Sequence, residues 1–187
     1  RQAEAALPDG APRARGAAMT GARRLVPGQG HSTTRRTARR ALYLTPTPAI
    51  TQLTGYLLGL CLERRPSLSL HAFFGHVDHH HGSYSDRGRL DGPTSPGQLE
   101  APSELPGFMA HFNGLLARSV NTHFGRGENL WKTGSYDNVE VHGRETLEEQ
   151  LVYVWSQGVR DGIVERPEDY PGLKSLPEDF GKTFVFR

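Results

Sequence analysis

The chain has 187 residues, 36% of them hydrophobic, with a single cysteine and a formal net charge of +2, enough for one compact domain with its own core. The lone Cys61 excludes an internal disulfide framework and a multi-cysteine zinc site, which points to a reducing compartment, with the cytoplasm as the expected location. No apolar run approaches the roughly 20 residues that span a bilayer, and the start of the chain lacks the hydrophobic stretch of a signal peptide, so neither export nor a membrane partner is expected.

The charge is unevenly spread: residues 1–66 carry eleven Arg against three acids, and the remainder eleven Lys or Arg against seventeen acids. Every cation of the first part is Arg, including the pairs Arg23-Arg24, Arg35-Arg36, Arg39-Arg40 and Arg64-Arg65. Guanidinium forks suit bidentate phosphate contact. On charge alone, a solvated face with a mobile tail is the other reading.

In chain order, residues 1–22 are rich in Ala, Gly, Pro and Arg without apolar periodicity and are expected to form a disordered leader. A single domain is expected over 23–172 and a C-terminal tail over 173–187. The threonines of His31 to Thr37 favour a strand. Thr47-Pro48 is a capping hydroxyl followed by a first-turn proline, and Ile50, Leu53, Leu57, Leu60 and Cys61 recur on one face, so a helix is predicted over about 48–64. After Pro66, Leu68, Leu70, Ala72 and Phe74 alternate with Ser67, Ser69 and His71, the period of a half-buried strand. Another short strand is predicted over His79 to Ser85.

The Gly-, Pro- and Ser-rich stretch 87–103 reads as a long surface-loop insertion. Ser103 is the expected cap of a helix whose apolar positions Leu105, Phe108, Met109, Phe112, Leu115, Leu116 and Val120 keep helical spacing to about Phe124. A strand over Asp137 to Val141 and a third helix over about 144–158 complete the pattern.

Two of these elements carry residues suited to chemistry. In His76-Val77-Asp78-His79-His80-His81, a strand sends His79 and His81 to one face and His80 to the other. Two imidazoles so spaced can grip one metal ion if a third ligand arrives from elsewhere, although three successive His also fit an exposed polar patch. On the third helix Tyr153 and Gln157 stack one turn apart, at the margin of an apolar stripe of Leu147, Leu151 and Val154. A phenol, with a pKa near about 10, needs a nearby cation to attack a phosphate at neutral pH. Two His and the Gln157 amide oxygen would supply a three-ligand divalent site with positions left for water and a phosphate oxygen. An ordinary boundary tyrosine is the alternative for Tyr153.

Taken together, these features resemble the single-tyrosine His-X-His (HUH) transposases, most closely the REP-associated tyrosine transposase group of the IS200-like superfamily. The likeness covers about Arg24 to Gly172. It rests on Leu25-Val26-Pro27-Gly28 leading into Thr34-Arg35-Arg36, on Leu70-His71-Ala72-Phe73, and on His79-His80-His81 followed by Asp86. Further along it rests on Leu105-Pro106-Gly107-Phe108, Gly125-Arg126-Gly127-Glu128-Asn129-Leu130-Trp131, Tyr153-Val154-Trp155-Ser156-Gln157 and Val164-Glu165-Arg166-Pro167. Two motifs depart from the family pattern: His76-Val77-Asp78 stands where Met-Ser-Asn or Met-Pro-Asn is usual, and Gln157-Gly158 where Asn-Pro is usual.

The resemblance implies an α+β, ferredoxin-like antiparallel sheet with helices packed on one face. It implies that His79, His81 and Gln157 hold a divalent metal, Mg or Mn, and that Tyr153 is the nucleophile. The implied activity is nicking and rejoining of single-stranded DNA by metal-assisted transesterification through a 5′-phosphotyrosine. The implied partner is DNA, single-stranded or with hairpin ends, met by a monomer or a homodimer. Arg35, Arg36, Arg39 and Arg40 are the expected backbone contacts, with Trp131 or Tyr136 as a stacking platform for an unpaired base, unless Trp131 is a core anchor. Two rivals stand beside this reading: an inactive DNA-binding relative of the same fold, and an unrelated metal-dependent hydrolase using the histidines with Asp78 or Asp86. Gly181-Lys182-Thr183 is not the end of a P-loop, since Leu176 stands where the motif needs its first glycine.

Overall fold

The computed structural model describes residues 29–86, 103–134 and 136–186. The expected leader over 1–22, the Leu25-Val26-Pro27-Gly28 motif and all of the expected insertion except Ser103 lie outside the described residues.

Strands β1 (Gly30–Arg36), β2 (Leu68–Gly75), β3 (His79–Asp86) and β4 (Asp137–Val141) alternate with helices α1 (Pro48–Glu63) and α2 (Leu105–His123). The sheet runs in the order β2-β3-β1-β4 and every pairing is antiparallel. This is the βαββαβ, ferredoxin-like arrangement expected from the sequence. A third helix, α3 (Gly143–Trp155), and a single further turn, α4 (Gln157–Arg160), follow the last strand.

Local chemistry sets the helix ends. The Ile50 N–H donates to Thr47 Oγ1 at 3.2 Å and Pro48 occupies the first turn, so α1 starts where its cap predicts. Ser103 accepts from the Leu105 N–H at 3.2 Å, but from one residue before the cap position, which Glu104 fills. Along α2, Leu105, Phe108, Met109, Phe112, Leu116 and Val120 are all fully buried. With α1 they close the main core on one face of the sheet, against Phe73 and Tyr84. Gly82 makes room for Tyr84, whose ring lies where a side chain at Gly82 would stand.

The register of β2 departs from simple alternation. A bulge between Leu70 and Ala72 leaves His71 as the extra residue. Leu68, Leu70 and Phe73 therefore share the α1–α2 core, whereas Ala72 and Phe74 turn to a second cluster with Val154 and Tyr170. A bulge inserts one residue and so reverses the faces beyond it, which a period-two count over 68–74 does not register. The second cluster, with Leu151, Trp155 and Val164 packed against it, holds α3 on the other face of the sheet.

The predicted third helix breaks earlier than expected. Trp155 ends α3, Ser156 lies between the two helices with its hydroxyl on the Tyr153 carbonyl at 3.3 Å, and Gln157 opens α4. Beyond it, the Tyr170 hydroxyl donates to the Gly75 carbonyl at 2.8 Å and its ring lies 4.4 Å from Phe74. Residues 173–175 then run along β2, with the Gly75 N–H on the Leu173 carbonyl and the Ser175 N–H on the Phe73 carbonyl. Among the described residues, no helix is long and apolar enough to cross a membrane.

Candidate metal and nucleophile site

Strand β3 pairs on both sides, so its side chains are divided strictly between two covered faces. His80 faces the main core. It is 1% exposed, stacks on Phe73 at 5.5 Å between ring centroids and meets Phe112 and Trp131 edge-on. Its Nε2–H donates to Asn113 Oδ1 at 2.8 Å. Burial holds the ring neutral, pushing its pKa down to about 4. His80 is thus an anchor of the strand and takes no part in the opposite face.

On that opposite face, beneath α3, the Nε2 atoms of His79 and His81 lie 2.9 Å apart. Each ring is oriented from its far side: His79 Nδ1 is 2.6 Å from Asp78 Oδ1, and His81 Nδ1 is 2.8 Å from Thr34 Oγ1. With His79 donating its Nδ1–H to the carboxylate, the proton between the two rings belongs to His81 Nε2, and the Thr34 hydroxyl donates to His81 Nδ1. A hydroxyl rotates freely enough to accept instead. The other His81 tautomer then turns two Nε2 lone pairs on one point. Imidazoles backed by a carboxylate and a hydroxyl in this way fit a divalent cation. Both rings are held neutral, the ligating state: desolvation lowers the pKa of each, to about 3 for His81.

Asp78 is the hub of the support. Burial works to raise its pKa, but hydrogen bonds from His79, Arg40 and His76 outweigh that and hold it down at about 2. Arg40 Nε lies 2.9 Å from Asp78 Oδ2, reached through a turn in which Arg39 and Arg40 have φ of 55° and 54°. Two consecutive non-glycine residues in the left-handed region carry backbone strain, which here aims the guanidinium at the carboxylate. His76 stacks on His79 at 4.4 Å, with its Nδ1 3.1 Å from Asp78 Oδ1 and its Nε2 3.2 Å from Asp161 Oδ2. Asp161 follows α4, so His76 lies between the histidine strand and the segment that carries Gln157. His76, Asp78 and His79 also form a buried group whose ligand atoms lie within 4.8 Å of one another, a geometry that can itself hold a metal.

Tyr153 reaches this site from α3. Its ring meets His81 edge-on, 5.6 Å between centroids and 85° between planes, and the residue is 36% exposed. The Arg160 guanidinium lies over the same ring at 5.0 Å. Gln157 is 4% exposed, and its Nε2 donates to the Tyr153 carbonyl at 3.3 Å. The structure thus brings Tyr153 against His81 and His81 against His79, while Gln157 is buried with its amide on the Tyr153 carbonyl.

The four arginines divide. Arg36 is exposed on the same strand face as Thr34, and its charge bears on both His79 and His81. Arg39 and Arg40 are exposed at the strained turn. Arg35 faces the other way, donating to the Gly134 carbonyl at 2.8 Å and lying 5.7 Å from the Trp131 ring. Neither aromatic proposed to stack on a base is placed to do so. Trp131 is 6% and Tyr136 9% exposed, both in the main core, and the Trp131 Nε1–H donates to the Asn113 carbonyl at 2.8 Å. Asp86 stands at the far end of β3 from His79.

The ion pair of Arg40 and the places of His76, Asp161, Thr34 and Arg160 around the site were not foreseen from the sequence. For His76 a signal existed, three residues before His79. For Asp161 and Thr34 there was none, because their roles arise only when strands and helices meet.

No family model matches the chain, and no curated protein does. Among solved structures, one of a REP-associated tyrosine transposase bound to a REP hairpin superposes with a TM-score of 0.60 at 16% identity, covering 88% of this chain and 87% of that one. A Deinococcus radiodurans R1 protein described as a transposase covers 78% of this chain and 98% of its own, at 18% identity. Its TM-score is 0.42. At 16% identity the first likeness is one of fold.

Proposed function

We propose that the chain nicks and rejoins single-stranded DNA through a covalent tyrosine intermediate, as a transposase-like strand transferase. The observation that carries this is the meeting of Tyr153 with His81, whose Nε2 faces that of His79 at 2.9 Å. The fold shared with a REP-associated tyrosine transposase agrees with it.

In this reading His79 and His81, with the Gln157 amide oxygen, hold a divalent cation such as Mg or Mn. When bound, that cation supplies Lewis-acid polarisation of a phosphate oxygen. The chain's own residues do the rest. Tyr153 Oη attacks the phosphorus, the new P–O bond to tyrosine forms, and the P–O3′ bond breaks. The phenol proton leaves to solvent and the departing O3′ takes one up, so the products are a 5′-phosphotyrosine and a free 3′-hydroxyl. Reversal by a 3′-hydroxyl rejoins the strand without a nucleotide cofactor. Arg160 lies over the Tyr153 ring at 5.0 Å, a cation–π contact that helps to hold the ring in place. Arg36, Arg39 and Arg40 line the approach with positive charge for the DNA backbone.

The test uses a pool of hairpin-bearing single-stranded oligonucleotides of random sequence, labelled at either end, incubated with the protein and Mn or Mg. The expected result is a metal-dependent adduct on a denaturing gel that retains the label 3′ of the nick. Binding without an adduct would identify an inactive relative of the fold instead. The buried His76, Asp78 and His79 group favours one other reading, a metal-dependent hydrolase in which Asp78 is a ligand and water the nucleophile. That enzyme would cleave without covalent attachment.

A further inference from the structure

At the other end of the same sheet face lies a cavity of about 400 Å³, lined by Gln29 just before β1, Gly30, His71, Ser85, Val141, the α3 cap His142 and the first turns of α3 to Leu147. Its volume is that of a small-molecule cleft, within the roughly 300 to 1,000 Å³ such sites occupy.

Two features mark it as more than a crevice. The β2 bulge leaves His71 as the extra residue, and its Nε2 lies 2.7 Å from Ser85 Oγ at the cavity wall. Bulges re-aim side chains at functional sites. Gln29 Oε1 is buried with no hydrogen-bond partner among the described residues, an acceptor whose burial is costly until something donates to it. Burial also holds His71 neutral.

The interior is therefore uncharged and rich in donors and acceptors: an imidazole, a hydroxyl and an amide, beside the apolar Val141 and Leu147. At the rim stand Arg144, paired with Glu148 at 2.7 Å, and His142, 3.5 Å from Glu140. A flat, neutral heteroaromatic ring with polar edges matches the interior, and at the rim Arg144 is already engaged with Glu148. Ser85 lies four residues along β3 from His81, about 13 Å at strand rise. That is roughly two to four nucleotides along a strand, given a stacked rise of about 3.4 Å and more when extended.

We propose that this cavity binds one unpaired base of the DNA strand, a few nucleotides from the phosphate that Tyr153 attacks, and so sets the sequence choice of the site. The inference rests on the DNA reading above for its substrate class, and its test does not depend on cleavage.

The first measurement is calorimetric titration of the full chain with each of the four deoxynucleoside 5′-monophosphates and with base-free deoxyribose 5-phosphate. At least one nucleotide is expected to bind, and the base-free sugar phosphate at least about tenfold more weakly, the discrimination a well-paired base edge gives. His71→Ala and, separately, His142→Ala should each remove that difference while melting as cooperatively as the parent. Equal binding of the base-free compound, no binding of any nucleotide, or discrimination that survives in both folded variants would overturn the proposal. The second measurement sequences the DNA captured covalently by the parent chain and by His71→Ala. One position near the nick should lose its base preference in the variant and the others keep theirs; unchanged preferences at every position would overturn the inference. Absence of any adduct counts against Tyr153 chemistry alone, because the titration still decides the cavity.

Discussion

The His81 imidazole meets the Tyr153 ring edge-on at 5.6 Å, although the two lie 72 positions apart in the chain. The two are joined by packing: Val154 beside the tyrosine is fully buried against Ala72 and Phe74, on the strand that pairs with β3. The tyrosine is thereby held at the margin of a core, with its ring partly exposed beside the histidines.

Replacing Tyr153 by Phe should abolish the covalent adduct with labelled single-stranded DNA and leave the protein folded. The ring contact with His81 survives, so stability should move by no more than about 0.5 kcal/mol, as for most surface changes. A Tyr153→Phe protein that still forms adducts on a denaturing gel would remove this residue as nucleophile. Cleavage that continues without adducts would favour the hydrolase reading.

Asp78→Asn should weaken Mn binding, measured by calorimetry, by roughly 10- to 100-fold, the usual cost of losing the partner that orients a ligating imidazole. The carboxylate holds the His79 Nδ1 at 2.6 Å and is itself held by Arg40. Asp86→Asn, at the far end of β3, should leave metal affinity unchanged. Equal effects of the two substitutions would mean that Asp78 does not act through His79.

His80 gives the fold a pH dependence of known sign. Its pKa is 6.5 in the unfolded reference and about 4 in the folded protein. Between those values the unfolded chain binds a proton that the native protein does not, so this contribution is complete above 6.5 and is lost as pH falls towards 4. Denaturant midpoints should fall with pH across that window, by up to about 1.4 kcal/mol per pH unit from this residue. His80→Leu should flatten the slope by that amount; an unchanged slope would show that the imidazole is not held neutral.

Single-stranded DNA binding should weaken with salt. Arg36→Ala and Arg39→Ala should each reduce the slope of log affinity against log salt by about 0.7, one phosphate contact apiece. Arg35→Ala should leave the slope intact, because that side chain is engaged with Gly134 and Trp131. A salt slope that none of the three substitutions changes would remove the arginines from the DNA interface.

What was legible in the residues alone was whatever depends on local period and chemistry. Strand and helix positions followed from alternation, from the Thr47 cap and from the repeat along α2, because those signals act over a few neighbours. The opposition of His80 to His79 and His81 followed in the same way, since a strand paired on both sides permits no other division. The bulge at His71 was not legible: its sequence fits unbroken alternation, and only pairing with β3 reveals the extra residue. Nor was the burial of Trp131, whose aromatic ring suited a stacking surface and a core equally well. Tertiary structure alone also decided that Arg40 and His76 converge on Asp78, that Asp161 meets His76, and that Thr34 backs His81. These are contacts between separate elements, set by how sheet and helices pack, and no spacing along the chain encodes them.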